Sequence, residues 1–354
     1  LKPAWVNHLT FPTKDMFGTI YIEEAVASHP RTQATLARFD QAQRIPCAHY
    51  GEVFNRAAQN FRLQKRQPSL ILAEKRGQRV LPTPDGYGIG SRKNFYFSHM
   101  LNCLYDCRYC FLQGMYRSAH MVLFINYEDF YEAIDAQIEQ ATSERPYFFS
   151  GYDCDSLALE GITDFTQGFL DFFSQRPNAT IELRTKSVRV HSLLARTPLD
   201  NCVAAFSLTP SAIADVLEVD TPPVARRIEA MGTLADRGWP IGLRFDPLLY
   251  HRNWREHYRN LFKAVFTRLR SDRLHSVSLG QFRLPQAMYK RMQRLYPDEP
   301  LFAWGLAERE GQVSYRSELA EQLHAFCRDE LLQHIDPSIF FPCPSTTLEG
   351  GAAP

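Results

Sequence analysis

Between residues 95 and 281 six short runs rich in Phe, Val and Ile alternate with longer amphipathic stretches, and this alternation restricts the fold more than any other feature. The runs are 95–98 (FYFS), 147–151 (YFFSG), 181–185 (IELRT), 203–208 (VAAFSL), 241–246 (IGLRFD) and 276–281 (SVSLGQ). Helices are expected over 127–140, 164–174, 224–237 and 254–269. The third shows helical spacing at Val224, Ile228, Met231 and Leu234, with Pro222 and Pro223 before it and Gly238 after it as start and stop signals. Continuous apolar strands imply a sheet covered on both faces, hence parallel pairing. Right-handed crossovers would curl six such units into a partial barrel, with chemistry at the C-terminal ends of the strands. The expectation is an α/β fold: a partial (β/α)6 barrel over residues 94–300, an N-terminal extension over 1–93, and a C-terminal extension over 301–354. That last segment holds one helix at about 317–332 and a tail ending GGAAP.

An apolar fraction of 45% over 354 residues describes a globular chain able to bury a large core. No apolar run is long enough to cross a membrane, and the opening LKPAWVNHLT lacks a secretion signal, so a cytoplasmic, reducing location is expected. The net charge of +1 gives the whole molecule little pull toward nucleic acid. Locally, however, Arg62, Lys65, Arg66, Lys75, Arg76, Arg79, Arg92 and Lys93 face only Glu74 and Asp85. Such a run is either a solvated face or a phosphate-tracking stripe. The segment DGYGIG at 85–90 lacks a full dinucleotide fingerprint and is read as a turn.

Five of the eight cysteines are scattered, but Cys103, Cys107 and Cys110 lie together in NCLYDCRYCFLQG (102–114), just after the first expected barrel strand. Three thiolates in C-x3-C-x2-C spacing can ligate three irons of a [4Fe-4S] cubane and leave the fourth iron without a protein ligand. That open iron can chelate S-adenosylmethionine through its amino and carboxylate groups, and an electron from the cluster then breaks a sulfur–carbon bond. The alternative is a structural Cys3His zinc site, since His99 lies four residues before Cys103.

The spacing, followed by an aromatic residue, resembles the radical S-adenosylmethionine superfamily. The wider context YCFLQ (109–113) resembles the spore photoproduct lyase family. So do TIYIEE (19–24), RTKSVRVHSLL (184–194), AAFSLTP (204–210) and LLYHRNWREHY (248–258). The resemblance implies a radical-SAM-type partial barrel and a lyase that repairs a thymine dimer in DNA with a deoxyadenosyl radical. It implies Cys103, Cys107 and Cys110 as cluster ligands, and Lys186 and Ser207, at the ends of the third and fourth strands, as contacts to S-adenosylmethionine. Phe111 stands beside that cofactor, and Tyr109 joins the catalytic candidates from its place in the motif. A DNA substrate and an external reductant such as a flavodoxin or ferredoxin would be the partners.

Three positions depart from the family pattern. Tyr152 stands where the family has its hydrogen-donating cysteine; Cys154 follows two residues later and would face the same side if the chain were extended, so either could return hydrogen to the product radical. Phe111 replaces a family tyrosine. The lesion-gripping Arg-Tyr pair aligns with Leu306 and Ala307, with Arg309 or Arg316 available to compensate on a hairpin turning at Glu310 and Gly311. Two other readings therefore stand beside DNA repair: radical chemistry on a peptide or small metabolite, and a zinc-stabilised nucleic-acid-binding module without catalysis.

Overall fold

The computed structural model describes residues 16–84 and 86–343. All six expected runs are strands, hydrogen-bonded side by side in chain order and all parallel: Asn94–Phe97, Tyr147–Ser150, Thr180–Thr185, Cys202–Ser207, Ile241–Leu248 and Leu274–Gln281. Phe340–Pro342 extends one edge in parallel and Leu81–Pro82 caps the other antiparallel. The helices Tyr127–Gln140, Phe165–Ser174, Val224–Asp236, Trp254–Arg268 and Ser317–Leu331 begin and end within a residue of where periodicity places them. The fold is the expected α/β partial barrel.

Alternation along each strand sorts the side chains. Ile181, Leu183, Ala204, Phe206, Leu243, Phe245, Val277 and Leu279 join the large core under the helices. Glu182, Arg184 and Lys186, with Val203, Ala205 and Ser207, point to the other, inner face. There Ile89 packs on Tyr147, Val203 and Ala205. The glycine-rich segment thus lines the inner face of the barrel and cradles no phosphate loop helix, although Asp85 itself lies outside the described residues.

Residues 16–93, irregular by sequence, hold most of a second sheet. Gln43–Cys47, Thr19–Glu23, Leu70–Ala73 and Met121–Phe124 run parallel in that order, and Met100–Leu101 closes the edge antiparallel. Its last two strands come from the connection after the first barrel strand. A second core of Ile20, Leu70, Leu72, Met100, Met121, Leu123, Leu159 and Cys154 covers one face of the small sheet, while Ile71, Ala73, Val122 and Phe124 on its other face join the large core. The tail after residue 343 lies outside the described residues.

Candidate radical-chemistry site

The cysteine loop leaves the strand Met100–Leu101 through Asn102, whose backbone takes the left-handed conformation (φ 67°). The Asn102 side-chain amide donates to the carbonyls of Ser118 (2.7 Å) and His120 (2.8 Å), tying the two ends of the loop. From below, Lys65 Nζ donates to the carbonyls of Cys103 (2.7 Å) and Tyr105 (2.9 Å). Asp106–Cys107 forms a short antiparallel pair with Glu218–Val219, and the Cys110 N–H closes a turn onto the Cys107 carbonyl (3.0 Å).

All three thiols are free. Burial pushes that of Cys103 up to about 12 and those of Cys107 and Cys110 upward too, and the Lys186 ammonium draws the latter two back down. The Lys186 ammonium is therefore near enough for its charge to act on two of the three thiols. Burying thiolates is costly without a counter-charge, and a bound metal centre supplies one.

Beneath the loop lies a buried polar chain. The Tyr109 hydroxyl donates to Glu218 Oε1, and the Glu218 carboxylate pairs with Arg227 at 2.6 Å, both side chains fully buried. Arg227 also donates to the carbonyls of Pro222 (2.8 Å) and Ser207 (3.4 Å). The Lys186 ammonium sits 5.5 Å from the centre of the Tyr109 ring. Glu218 and Arg227 thus join Tyr109 on the cysteine loop to Ser207 at the end of its strand, and Lys186, at the end of the adjacent strand, stands over the Tyr109 ring.

The turn after the second barrel strand distributes four consecutive side chains. Gly151 has φ 76°, and a Cβ there would meet Ser156 Oγ at 2.5 Å, so the chain turns sharply and is no longer extended. Tyr152 points outward, 38% exposed, its ring 4.5 Å from Tyr96 and 5.5 Å from Phe111. Asp153 accepts from Ser98 Oγ at 2.8 Å. Cys154 turns into the second core, its sulfur 4.0 Å from His99 Nδ1. Asp155 accepts from Thr185 Oγ1 (2.7 Å) and from the N–H groups of Lys186 (2.6 Å), Leu157 and Ala158 (2.9 Å each), which fixes the strand end carrying Lys186. The expectation that Tyr152 and Cys154 share one side rested on an extended chain, and Gly151 removes that condition.

His99 is fully buried and stacks on Phe165 with centroids 3.8 Å apart. Its ring nitrogen faces Cys154. Among the described residues no three His, Cys, Asp or Glu side chains close on a point fit for one metal ion. A tetrahedral zinc site would need its sulfurs about 3.8 Å apart, from Zn–S bonds of about 2.3 Å, whereas a cubane takes each sulfur on a different iron. The donor set, three free thiols on one tight loop with a cation near two of them, fits the cluster.

The basic run does not form one surface. Lys65 holds the cysteine loop, Arg76 pairs with Glu23 (2.7 Å), Arg79 with Asp129 (2.6 Å), and Lys75 lies over Phe124. The C-terminal hairpin forms as expected: Leu306–Arg309 pairs with Gln312–Tyr315 through a turn in which Glu310 and Gly311 both have positive φ. On it Arg309 donates to Ser317 Oγ, and Arg316 is exposed. Sequence reasoning missed Lys65, Asp155, Glu218 and Arg227. Only the charges inside apolar strands, as in IELRT and IGLRFD, hinted at buried ion pairs on the inner face.

A parallel partial barrel with three free thiols on the loop after its first strand defines a protein of the radical S-adenosylmethionine class. The family model for spore photoproduct lyase matches residues 95–314, and the chain belongs to that family. It is 26% identical over 251 residues to spore photoproduct lyase of Bacillus subtilis (strain 168), covering 68% of this chain and 71% of the relative. The enzyme of the same name from Geobacillus sp. (strain Y412MC61) is 22% identical over 251 residues, covering 68% and 72%. A solved double variant of spore photoproduct lyase with bound AdoMet and dinucleoside spore photoproduct superposes with a TM-score of 0.80 at 18% identity, over 94% of this chain and all of that one. The complex of spore photoproduct lyase with dinucleoside spore photoproduct alone gives 0.78 at 18% identity, over 92% and 98%. These likenesses establish the fold across nearly the whole chain.

Proposed function

We propose that this chain is a radical S-adenosylmethionine lyase that reverses a thymine lesion in DNA, with Cys103, Cys107 and Cys110 holding a [4Fe-4S] cluster. The observation that carries it is the loop of three free thiols after the first barrel strand, two of them within the field of the Lys186 ammonium. The family relationship supplies the substrate class: its members are named for the spore photoproduct, and two solved relatives hold a dinucleoside form of it.

The cluster together with S-adenosylmethionine would supply a deoxyadenosyl radical, at the cost of one electron from an external reductant such as a flavodoxin or ferredoxin. The residues of this chain do the rest. Lys186, held by Asp155 and bedded on Tyr109, would meet the cofactor carboxylate, and Ser207 would line the same pocket from the next strand. The Glu218–Arg227 pair locks Tyr109 and the Ser207 backbone in place. Phe111 and Tyr96 hold the Tyr152 ring at the mouth, where its hydroxyl hydrogen is available to the product radical. Exposure favours Tyr152 over Cys154 as hydrogen donor, because Cys154 is walled in by His99 and the second core. The eight free cysteines and the absence, among the described residues, of any helix long and apolar enough to span a membrane accord with a cytoplasmic setting.

The test is anaerobic incubation of the reconstituted protein with dithionite, S-adenosylmethionine and an oligonucleotide carrying the spore photoproduct. Restoration of the two thymines is expected. Cleavage of the cofactor without repair would overturn the substrate assignment and favour a peptide or small metabolite, a reading that Leu306 and Ala307 at the lesion-gripping positions would then explain.

A further inference from the structure

Behind the cysteine loop three chain segments bring together arginines that have no carboxylate partner among the described residues. The short helix Phe61–Arg66 contributes Arg62 and Arg66, one turn apart. The segment after the helix Leu112–Met115 contributes Arg117, and the helix Gln286–Leu295 contributes Arg291 and Arg294. Arg62, Arg66, Arg117 and Arg294 are exposed. Arg291 donates to the Met115 carbonyl at 3.0 Å, and Arg117 and Arg294 come close enough that their like charges, after burial, push its guanidinium pKa down. A groove of about 470 Å³ between residues 58–62 and Arg294 and Leu295 joins the first helix to the third segment. Next to Arg62 on the first helix, Leu63 is 59% exposed, one of three exposed large apolar side chains among the described residues.

The patch lies on the side of the loop away from the barrel interior. Asp106 and Cys107 are successive residues of a short strand, so their side chains point to opposite faces. Lys186, whose ammonium stands over the Tyr109 ring, is on the side of Cys107. Asp106 is buried on the other face, where it pairs with Arg108 (2.9 Å) and accepts from Gln113 Nε2 (2.9 Å) and the Tyr296 hydroxyl (3.2 Å), and Arg62 lies over the Tyr296 ring at 5.6 Å from its centre. Lys65, on the same helix as Arg62, holds the carbonyl of Cys103. The arginine face is thus two side chains removed from the ligand loop, and it is turned away from the pocket that a nucleic-acid lesion and S-adenosylmethionine must share.

We infer that this face, Arg62, Arg66, Arg117, Arg291 and Arg294 with the exposed Leu63 beside Arg62, is the docking surface of an acidic one-electron carrier protein. The inference rests on the proposed radical function, which needs an electron delivered from outside while the pocket is filled. Arginines without carboxylate partners beside an exposed apolar side chain are the make-up of a transient, electrostatically steered interface. Each docking event would pass one electron inward and leave the carrier oxidised by one electron. A phosphodiester strand also suits arginines, but a substrate bound here would face away from Lys186 and Tyr152.

The test uses the reconstituted protein and two probes, a flavodoxin and a plant-type ferredoxin, with binding read by surface plasmon resonance and therefore without turnover. At low salt one or both probes should bind, with affinity falling steeply as ionic strength rises. The variant carrying Arg66→Glu, Arg117→Glu and Arg294→Glu should bind about tenfold or more weakly. Leu63→Ser should weaken binding without changing its salt dependence. Dithionite-driven cleavage of S-adenosylmethionine should be unchanged in both variants, which shows that they fold and separates this inference from the function it rests on. Binding of neither probe to the unaltered protein, or carrier affinity within about twofold in the triple variant, would overturn the docking surface. Loss of oligonucleotide affinity in its place would overturn it too, by reassigning the face to DNA.

Discussion

Glu182 and Arg244 form an ion pair in the barrel interior, and replacing Arg244 by Met should expose how much of the fold depends on it. The pair is 2.6 Å long with both side chains fully buried; Tyr147 and Ser276 complete its hydrogen bonds at 2.8 Å each. Burial pushes the Glu182 carboxyl up, and Arg244 and then Arg184 outweigh it, holding the pKa at about 2 against an ordinary 4.5. A fall of that size corresponds to about 3 kcal/mol. Because the folded-state pKa is depressed, this stability is fully present above the unfolded value and is lost as pH falls from about 4.5 toward 2. Arg244→Met should therefore cost about 3–5 kcal/mol at pH 7, since it leaves a buried carboxylate short of its main partner. The cost should shrink at pH 4, where the unfolded chain begins to protonate. Urea denaturation followed by circular dichroism measures both, and adding Glu182→Gln completes a double-mutant cycle with an expected coupling of about 3 kcal/mol. A coupling below about 0.5 kcal/mol, or an equal cost at pH 4 and pH 7, would refute the reasoning.

Gly114→Ala should destabilise the protein by about 1–3 kcal/mol and lower iron retention, because its Cβ would meet Met288 backbone atoms at 2.6–2.8 Å and push the loop helix off its neighbour; chemical denaturation and iron content check this. Tyr152→Phe should lower lesion turnover at least about tenfold while leaving S-adenosylmethionine cleavage intact, and Cys154→Ala should leave both unchanged. The reverse pattern, read from product formation by chromatography, would move the hydrogen donor to the buried thiol.

The barrel was legible in the sequence because its strands are short apolar runs bounded by turns, and its helices carry complete spacing with Pro and Gly at their ends, as Val224–Asp236 shows. The small sheet was not. Its edge strand Gln43–Cys47 is largely exposed and polar, and Met121–Phe124 belongs to it only through pairing with residues fifty positions away. The three cysteines proposed as cluster ligands stand out by spacing alone, whereas the residues that support their loop do not. Lys65 reads as one more base in a basic run, and Glu218 and Arg227 read as surface charges until the fold buries them together. Gly151 decided the fate of Tyr152 and Cys154, and a two-residue offset could not disclose a turn.

The proposed ligation of a cluster by three thiols is tested most directly by metal and sulfide analysis of the anaerobically prepared protein beside its Cys103→Ala, Cys107→Ala and Cys110→Ala variants. About four irons and four sulfides per chain are expected in the unaltered protein, with loss of the cluster in each variant. Zinc without sulfide, or a full cluster surviving the loss of any one of these thiols, would contradict the assignment.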